Sequence, residues 1–400
     1  MLQLCNLCLG SCALGCARGQ RLEKATVTTI NVPAARVQQG SLALFATAIK
    51  VRDLIQPGFY SIERLDPDDA DKGFQRLLNA SRARRLADYV VAGQDSRDAF
   101  LPTSVFLATD KTLQIDPATN ILTIDTTAIG PFSVVDGQHR LEGLKLAAER
   151  DARVLDFEVP VNIATNLDYL AQMSHFLIVN TTQKSVDRGV EQRIIARLTA
   201  ALELENVPKL PRWISRIVEK GEVDKALKLV DFLARADGSP WLQRINMPNE
   251  SAGGQNIKQH SFVKFVQRYV LTANNPLISF KDFDREKKVF LNYWKAIAQE
   301  LDDGDSATLY KSNSVELFCR FSIPFFTRMM DRRSFTVDAM ARALRDCFEL
   351  VDGEYAGVGH PEFWQTGGTA GKLNSSALST MAHDLTTALH KTNMTADVEI

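Results

Sequence analysis

The sequence predicts an α/β (α+β) protein, with a mixed α/β domain over residues 25–185 and a mainly helical domain over residues 186–400. Three observations predict it. Up to about residue 185, runs of β-branched residues alternate with amphipathic stretches of helical period. Beyond that point the strand signal fades while the helical period continues. The composition, 45% hydrophobic and 24% charged over 400 residues, suits a globular chain of two domains.

Taken in order, residues 25–32 (ATVTTINV) are rich in β-branched side chains and read as a strand. Residues 41–55 read as a helix that Pro57-Gly58 terminates, and 59–65 as a short strand. In 73–92, Leu77, Leu78, Ala83, Leu86, Ala87 and Val90 recur near the 3.6 period and predict a helix. Residues 102–108 read as a buried strand. TLQID and ILTID flank the turn signal Pro117-Ala118-Thr119-Asn120 and predict a hairpin. FSVV (132–135) is a strand, followed by a helix to about Arg150, a strand at 157–164, and a helix over 168–183 that ends near Asn180. Helical patterns then cover 187–204, 209–236, 260–272, 284–302, 313–331, 335–350 and 375–391, with loops at 236–241, 248–255 and 353–372. There is no internal repeat.

Residues 1–24 stand apart, with Cys5, Cys8, Cys12 and Cys16 closely spaced. Four thiolates at such spacing can close a tetrahedral metal shell. The stretch lacks the turns and polar residues that frame such ligands. It reads as an extension outside the fold, and no metal site is expected. A signal peptide fits poorly, because no basic residue precedes the apolar part. Cys319 and Cys347 sit in helical patterns and read as buried thiols. Without a disulfide framework, and with no apolar run of membrane-spanning length, a cytoplasmic protein is expected. The net charge of −1 gives no global field toward nucleic acid, which leaves local basic faces to be examined.

The densest chemistry is Asp136-Gly137-Gln138-His139-Arg140, set between a strand and a helix. The first helical turn leaves unpaired N–H groups that, with the macrodipole, favour phosphate. Gly137 lets the backbone turn sharply and approach a ligand. Arg140 offers a planar fork for phosphate. Asp136 can hold a metal, orient His139 or Arg140, or cap the helix. Gln138 brings a donor and an acceptor, and His139 a donor or an acid–base group. Other nucleotide and hydrolase signatures fail on spacing: TGGTAGKL (366–373) has Thr366 and Leu373 where a phosphate loop needs glycine and a hydroxyl.

Secondary constellations are basic or amide-rich. Arg76, Arg82, Arg84 and Arg85 crowd the 73–92 segment, where Arg82 and Arg85 share a helix face with Arg76 about two turns earlier. This is either a cationic stripe for phosphates or a solvated face. Asn79 could point toward the motif. Asn180, Thr181, Thr182, Gln183 and Lys184 end a helix and could close over a phosphate or base, or serve as an ordinary helix end. Arg212 and Arg216, within 209–230, offer either a DNA-contacting face, which Glu219, Glu222 and Asp224 dilute, or an ordinary solvated helix. Residues 253–268 (GGQNIKQHSFVKFVQR) suggest a glycine-rich loop entering a basic helix.

The pentapeptide, with RLLNASRARRLADYV (76–90), FLPTSVFLAT (100–109) and FLIVNTTQKSVD (176–187) in order, resembles the DGQHR-domain proteins. Their best-known branch is the DndB regulators of DNA phosphorothioation systems, and a sister branch accompanies 7-deazaguanine DNA modification. The resemblance covers about residues 25–200. It implies a ParB/sulfiredoxin-like fold for the N-terminal domain, with Gly137 and Arg140 as phosphate contacts and Gln138 and His139 alongside. Sulfiredoxin-like chemistry would need a cysteine where Gln138 and His139 stand, so cysteine redox repair is rejected. Two functions are expected as alternatives. One is a DNA-binding accessory or regulatory protein of a DNA-modification operon, partnered by DNA and by the modification proteins. The other is an ATPase-type enzyme of the same systems, with ATP or another nucleotide and magnesium, Asp136 holding the metal and His139 activating water. A homo-oligomer is compatible with either, and a membrane partner with neither.

Overall fold

The computed structural model describes residues 29–69, 72–183, 187–201, 212–250 and 256–392. The cysteine-rich start and Lys184 lie outside the described residues, as do the side chains of Thr182, Gln183 and Arg212.

The chain opens with a long hairpin, β1 (Thr29–Gln39) and β2 (Leu42–Lys50), joined through Gly40-Ser41. Gly40 has φ +60°, the left-handed value that two-residue hairpin turns demand. This corrects the expected helix over 41–55: most of that segment is strand, and only α1 (Val51–Leu54) is helical. Small and apolar residues in LALFATAIK satisfy both periods. Pairing of β2 with β1 on one side and with β8 on the other selects the strand.

Next come β3 (Tyr60–Ser61), α2 (Ala80–Ser96), β4 (Val105–Ala108), β5 (Ile115–Asp116) and β6 (Ile121–Asp125). After α3 (Thr126–Ile129) follow β7 (Phe132–Asp136), α4 (Gln138–Arg150) and β8 (Glu158–Ala164). The eight strands form one sheet in the order β3-β7-β4-β8-β2-β1-β6-β5. The β5–β6 hairpin falls where the turn signal placed it. α2 begins seven residues later than expected. Asn79 caps it, its Oδ1 accepting the Arg82 N–H at 3.0 Å. Residues 73–79 therefore lie outside the helix, with Gln75 bridged to Arg64, and Arg76 precedes the helix instead of lying on its face.

α5 (Tyr169–Gln183) and α6 (Arg188–Ala201) follow. α5 runs past Asn180, which is a helix-interior residue and not a terminus. The expected single helix over 209–236 is two, α7 (Arg212–Lys220) and α8 (Glu222–Arg235), divided at Gly221 with φ +63°. A two-residue parallel pair, β9 (Ile245–Asn246) with β10 (Ile257–Lys258), precedes α9 (Gln259–Phe265). α10 (Phe283–Leu301), α11 (Ser312–Asp331), α12 (Val337–Phe348) and α13 (Ser375–Lys391) complete the helical part, as the periodicity predicts.

Three apolar cores result. One lies between the sheet and α2/α4, and includes Ala87, Val90, Leu141 and Leu144. A second fills the helical part around Trp241, Trp294 and Trp364, with Cys319 and Cys347 buried as free thiols. The third covers the other face of the sheet with α5, α6 and α7, through Phe176, Ile194 and Val218, so it crosses residue 185. That continuity positions the site, because the helical part directly braces the loop that carries Arg76. Arg197 donates to the Gly73 carbonyl at 2.7 Å, and Arg235 donates to the Pro67 carbonyl at 2.6 Å. Among the described residues no helix is long and apolar enough to cross a membrane.

Candidate functional site

The motif forms as the sequence predicts, with β7 entering a turn at Gly137 and α4 leaving it. Gly137 has φ +106°, which strains any residue bearing a Cβ. A Cβ there would sit 3.2 Å from the Val105 methyls and 3.3 Å from Arg140 Nε. The turn and its packing therefore require the glycine, whether or not a ligand approaches.

A bulge between β4 and β7 sets where Asp136 points. Leu107 opposes Val134 while Phe106 opposes Asp136, so Val135 is the extra residue and Asp136 joins Phe106 on one face of the sheet. There Asp136 Oδ2 accepts from Arg140 at 2.6 Å. The same guanidinium donates to the Ser104 carbonyl at 2.9 Å and to the Thr103 hydroxyl at 3.2 Å, while its Nε is buried without a partner. Arg140 is thus held as a neutralised structural fork.

His139 points elsewhere. Its Nε2 accepts the backbone N–H of Asn79 at 3.0 Å, which ties the start of α4 to the start of α2. Burial, followed by the Arg76 and Arg82 guanidiniums, pushes its pKa from 6.5 down to about 4. At neutral pH the ring is therefore uncharged, with Nε2 as acceptor and Nδ1 assigned the proton.

The expected single pocket is consequently two cavities, with the motif as the wall between them. His139 faces a cleft of about 610 Å³ together with Arg76, Asn79 and Arg82. Asp136 and Arg140 face a groove of about 1240 Å³ on the other side. Gln138 is buried and lines neither.

The cleft closes against the helical part, which contributes Asp187, Glu250, Lys258 and His260. Neither the Arg76 nor the Arg82 guanidinium makes a hydrogen bond or ion pair among the described residues. Desolvation, and then the neighbouring Arg82, lowers the pKa of Arg76. Two neighbouring guanidiniums without a hydrogen bond or ion pair among the described residues form a donor array suited to phosphate oxygens.

Asn249 sets the position of Arg76. It adopts φ +67°. Its Nδ2 donates to the Leu65 and Gln75 carbonyls at 2.9 Å each, and its Oδ1 accepts the Leu77 N–H at 2.8 Å. The chain on both sides of Arg76 is therefore pinned by one side chain from the helical part. Arg193, completely buried, braces the same wall. It donates to Asp231 at 2.8 and 3.2 Å and to Gln259 at 2.8 Å, which joins α6, α8 and α9.

Of the other expected site residues, Asn79 does reach His139, through its backbone. Arg85 is exposed on α2 and lines neither cavity. Asn180 Nδ2 donates to the Phe176 carbonyl at 2.9 Å, and the Thr181 hydroxyl to the Leu177 carbonyl at 2.6 Å, so both turn to their own helix. Arg216 is exposed on α7 and is not brought to the cleft, whereas Lys258 and His260 of the 253–268 segment are. Sequence reasoning missed Asn249 and Asp187. Only the loop signal around Pro248-Asn249 marked the former, and nothing linked it to Arg76.

Residues 32–193 match the family model DndB, described as DNA-sulfur modification-associated. That segment, from β1 into α6, is DndB-like, and it contains the motif, Arg76 and Arg82. The resemblance read from the sequence is borne out at this level. No curated protein and no solved structure gives a significant match.

Proposed function

We propose, taking the DndB-like segment as the premise, that this protein is a DNA-binding accessory protein of a DNA-sulfur modification system. In this reading it holds backbone phosphate in the cleft through Arg76 and Arg82. The observation that carries it is the pair of guanidiniums without hydrogen-bond or ion-pair partners among the described residues, beside His139, on the family-matched segment. Arginine forks bind phosphate oxygens bidentately, and such contacts fix register without reading sequence. A role as regulator follows from binding without turnover. Asp136 is committed to Arg140 in the other cavity, and the His139 Nε2 lone pair is committed to Asn79, so the two groups needed for nucleotide hydrolysis do not converge.

The test is fluorescence anisotropy with a labelled duplex across a range of salt. Wild type should bind with a steep salt dependence. Each phosphate contact adds about −0.9 to the slope of log K against log salt, so Arg76→Ala with Arg82→Ala should flatten the slope by about 1.8. Absence of binding at low salt, or a double variant with the wild-type slope, would overturn the reading.

A further inference from the structure

The groove on the Arg140 side of the motif is chemically unlike the cleft. Its floor is the sheet face where the β7 bulge sets Asp136 beside Phe106, with Asn162 next across the sheet. One wall is α5, through His175 and Val179, and the other is the tip of the β1–β2 hairpin, through Leu42. Its charges cancel. Asp136 and Arg140 are the charged residues lining it among those described, and they are paired at 2.6 Å. Burial holds the His175 pKa below its usual value, so this ring is neutral at pH 7.

Hydrogen-bonding capacity remains at one edge. Asn162 Nδ2 donates to Ser104 Oγ at 2.8 Å, which leaves the Ser104 proton and Asn162 Oδ1. Asp136 uses Oδ2 for Arg140 and keeps Oδ1. The remaining walls mix apolar side chains, Leu42, Leu44, Ile178 and Val179, with the uncharged polar ones of Gln39 and Ser41.

We propose that this groove binds an uncharged planar heteroaromatic ring, a nucleobase. A groove whose charges cancel gains little Coulomb energy from a phosphate and has no reason to select one. An uncharged groove that combines apolar side chains with donors and acceptors suits a ring with π faces and a hydrogen-bonding edge. Phe106 supplies an aromatic side chain on the floor for such a ring to pack against. The base comes either as a free nucleoside or as a base displaced from bound DNA. The proposal rests on the DNA-phosphate reading only for the second source.

The experiment uses the full chain and four free nucleosides, followed by ligand-observed NMR and calorimetry. A duplex carrying 2-aminopurine, followed by fluorescence, forms a second arm. Wild type and Arg82→Ala should bind at least one nucleoside saturably. Val179→Trp, which fills the slot, should abolish binding, and Ser104→Ala should weaken it roughly tenfold. If free nucleosides fail but 2-aminopurine brightens on the wild-type complex and not on Val179→Trp, the base arrives attached to DNA and the proposal stands. No response in either arm at millimolar ligand, or a folded Val179→Trp that behaves as wild type, overturns it. Saturable binding of decanoate with no nucleoside response overturns it in favour of an apolar ligand. Nucleoside binding that persists when duplex binding is absent sinks the DNA-phosphate reading and leaves this one intact.

Discussion

Asn249→Ala tests whether the helical part positions the phosphate site. The substitution removes three side-chain hydrogen bonds, to the Leu65 carbonyl, the Gln75 carbonyl and the Leu77 N–H. A typical net contribution is about 1 kcal/mol each. The Gln75 carbonyl also accepts from Leu65 N at 2.8 Å, so its loss belongs at the low end, about 0.5 kcal/mol. Alanine at φ +67° adds about 1 kcal/mol of strain that asparagine tolerates better. The sum is about 3–4 kcal/mol, to be read as a shift in urea midpoint at constant m. Asn249→Gly removes the same bonds without the strain and should recover about 1 kcal/mol of that loss. Because the released chain carries Arg76, both variants should also lose one phosphate contact, a flattening of about 0.9 in the salt slope of duplex binding. Stability within 0.5 kcal/mol of wild type would refute the energetic argument. A destabilised variant that keeps the wild-type slope would refute the positioning argument.

Further outcomes follow from the same geometry. Arg193→Met leaves Asp231 without its bidentate partner in a largely buried setting and should cost about 3–5 kcal/mol in urea unfolding; a loss under 1 kcal/mol would contradict it. Asp187→Asn keeps the cap on α6, where Oδ1 accepts from Gly189 N at 2.9 Å, but removes a carboxylate facing Arg76. Duplex affinity at low salt should rise about two- to fivefold and the gain should fade as salt increases, while a decrease in affinity would oppose a phosphate role for the cleft. His139 has a folded pKa of about 4 against an ordinary 6.5, so the unfolded chain binds the extra proton between those values. Its contribution to stability is fully present above about pH 6.5 and is lost as the pH falls toward 4. The pH dependence of the urea midpoint over this window should be shallower in His139→Gln, and identical profiles would contradict the assignment.

Where a local signal matched a local cause, the sequence was readable. FSVV followed by Asp-Gly yields a strand, a turn at φ +106° and a helix, because only glycine fits that backbone without strain. The β5–β6 hairpin and the long helices α10–α13 follow from turn chemistry and sustained period in the same way. The segment 41–55 misleads, because small residues alternate with apolar ones and the deciding term is pairing with β8, more than a hundred residues later. Arg76 misleads for a related reason. The helical period in the sequence extends back to it, yet Asn79 caps the helix and the side chain reaches the cleft from the segment before it. What holds it there, Asn249, is separated from Gln75 by 174 positions, and no pattern in one sequence couples such residues.

The division of the motif between two cavities was, by contrast, latent in helix geometry. Successive helical residues project about 100° apart, which favours His139 and Arg140 at the start of α4 leaving in different directions. Four functional side chains and a glycine in a row therefore do not by themselves imply a single pocket. They fit a wall better: the imidazole looks toward two unpaired guanidiniums, and the arginine looks back to Asp136 across the turn. The electrostatics follow from that placement. The Arg140 charge is cancelled within its own motif, whereas Arg76 and Arg82 face acids contributed by the helical part at a distance. Of the two cavities, it is thus the cleft, where the α/β part and the helical part meet, that carries guanidiniums without an ion pair among the described residues. A phosphate bound there touches both, and its affinity then depends on how the helical part is held.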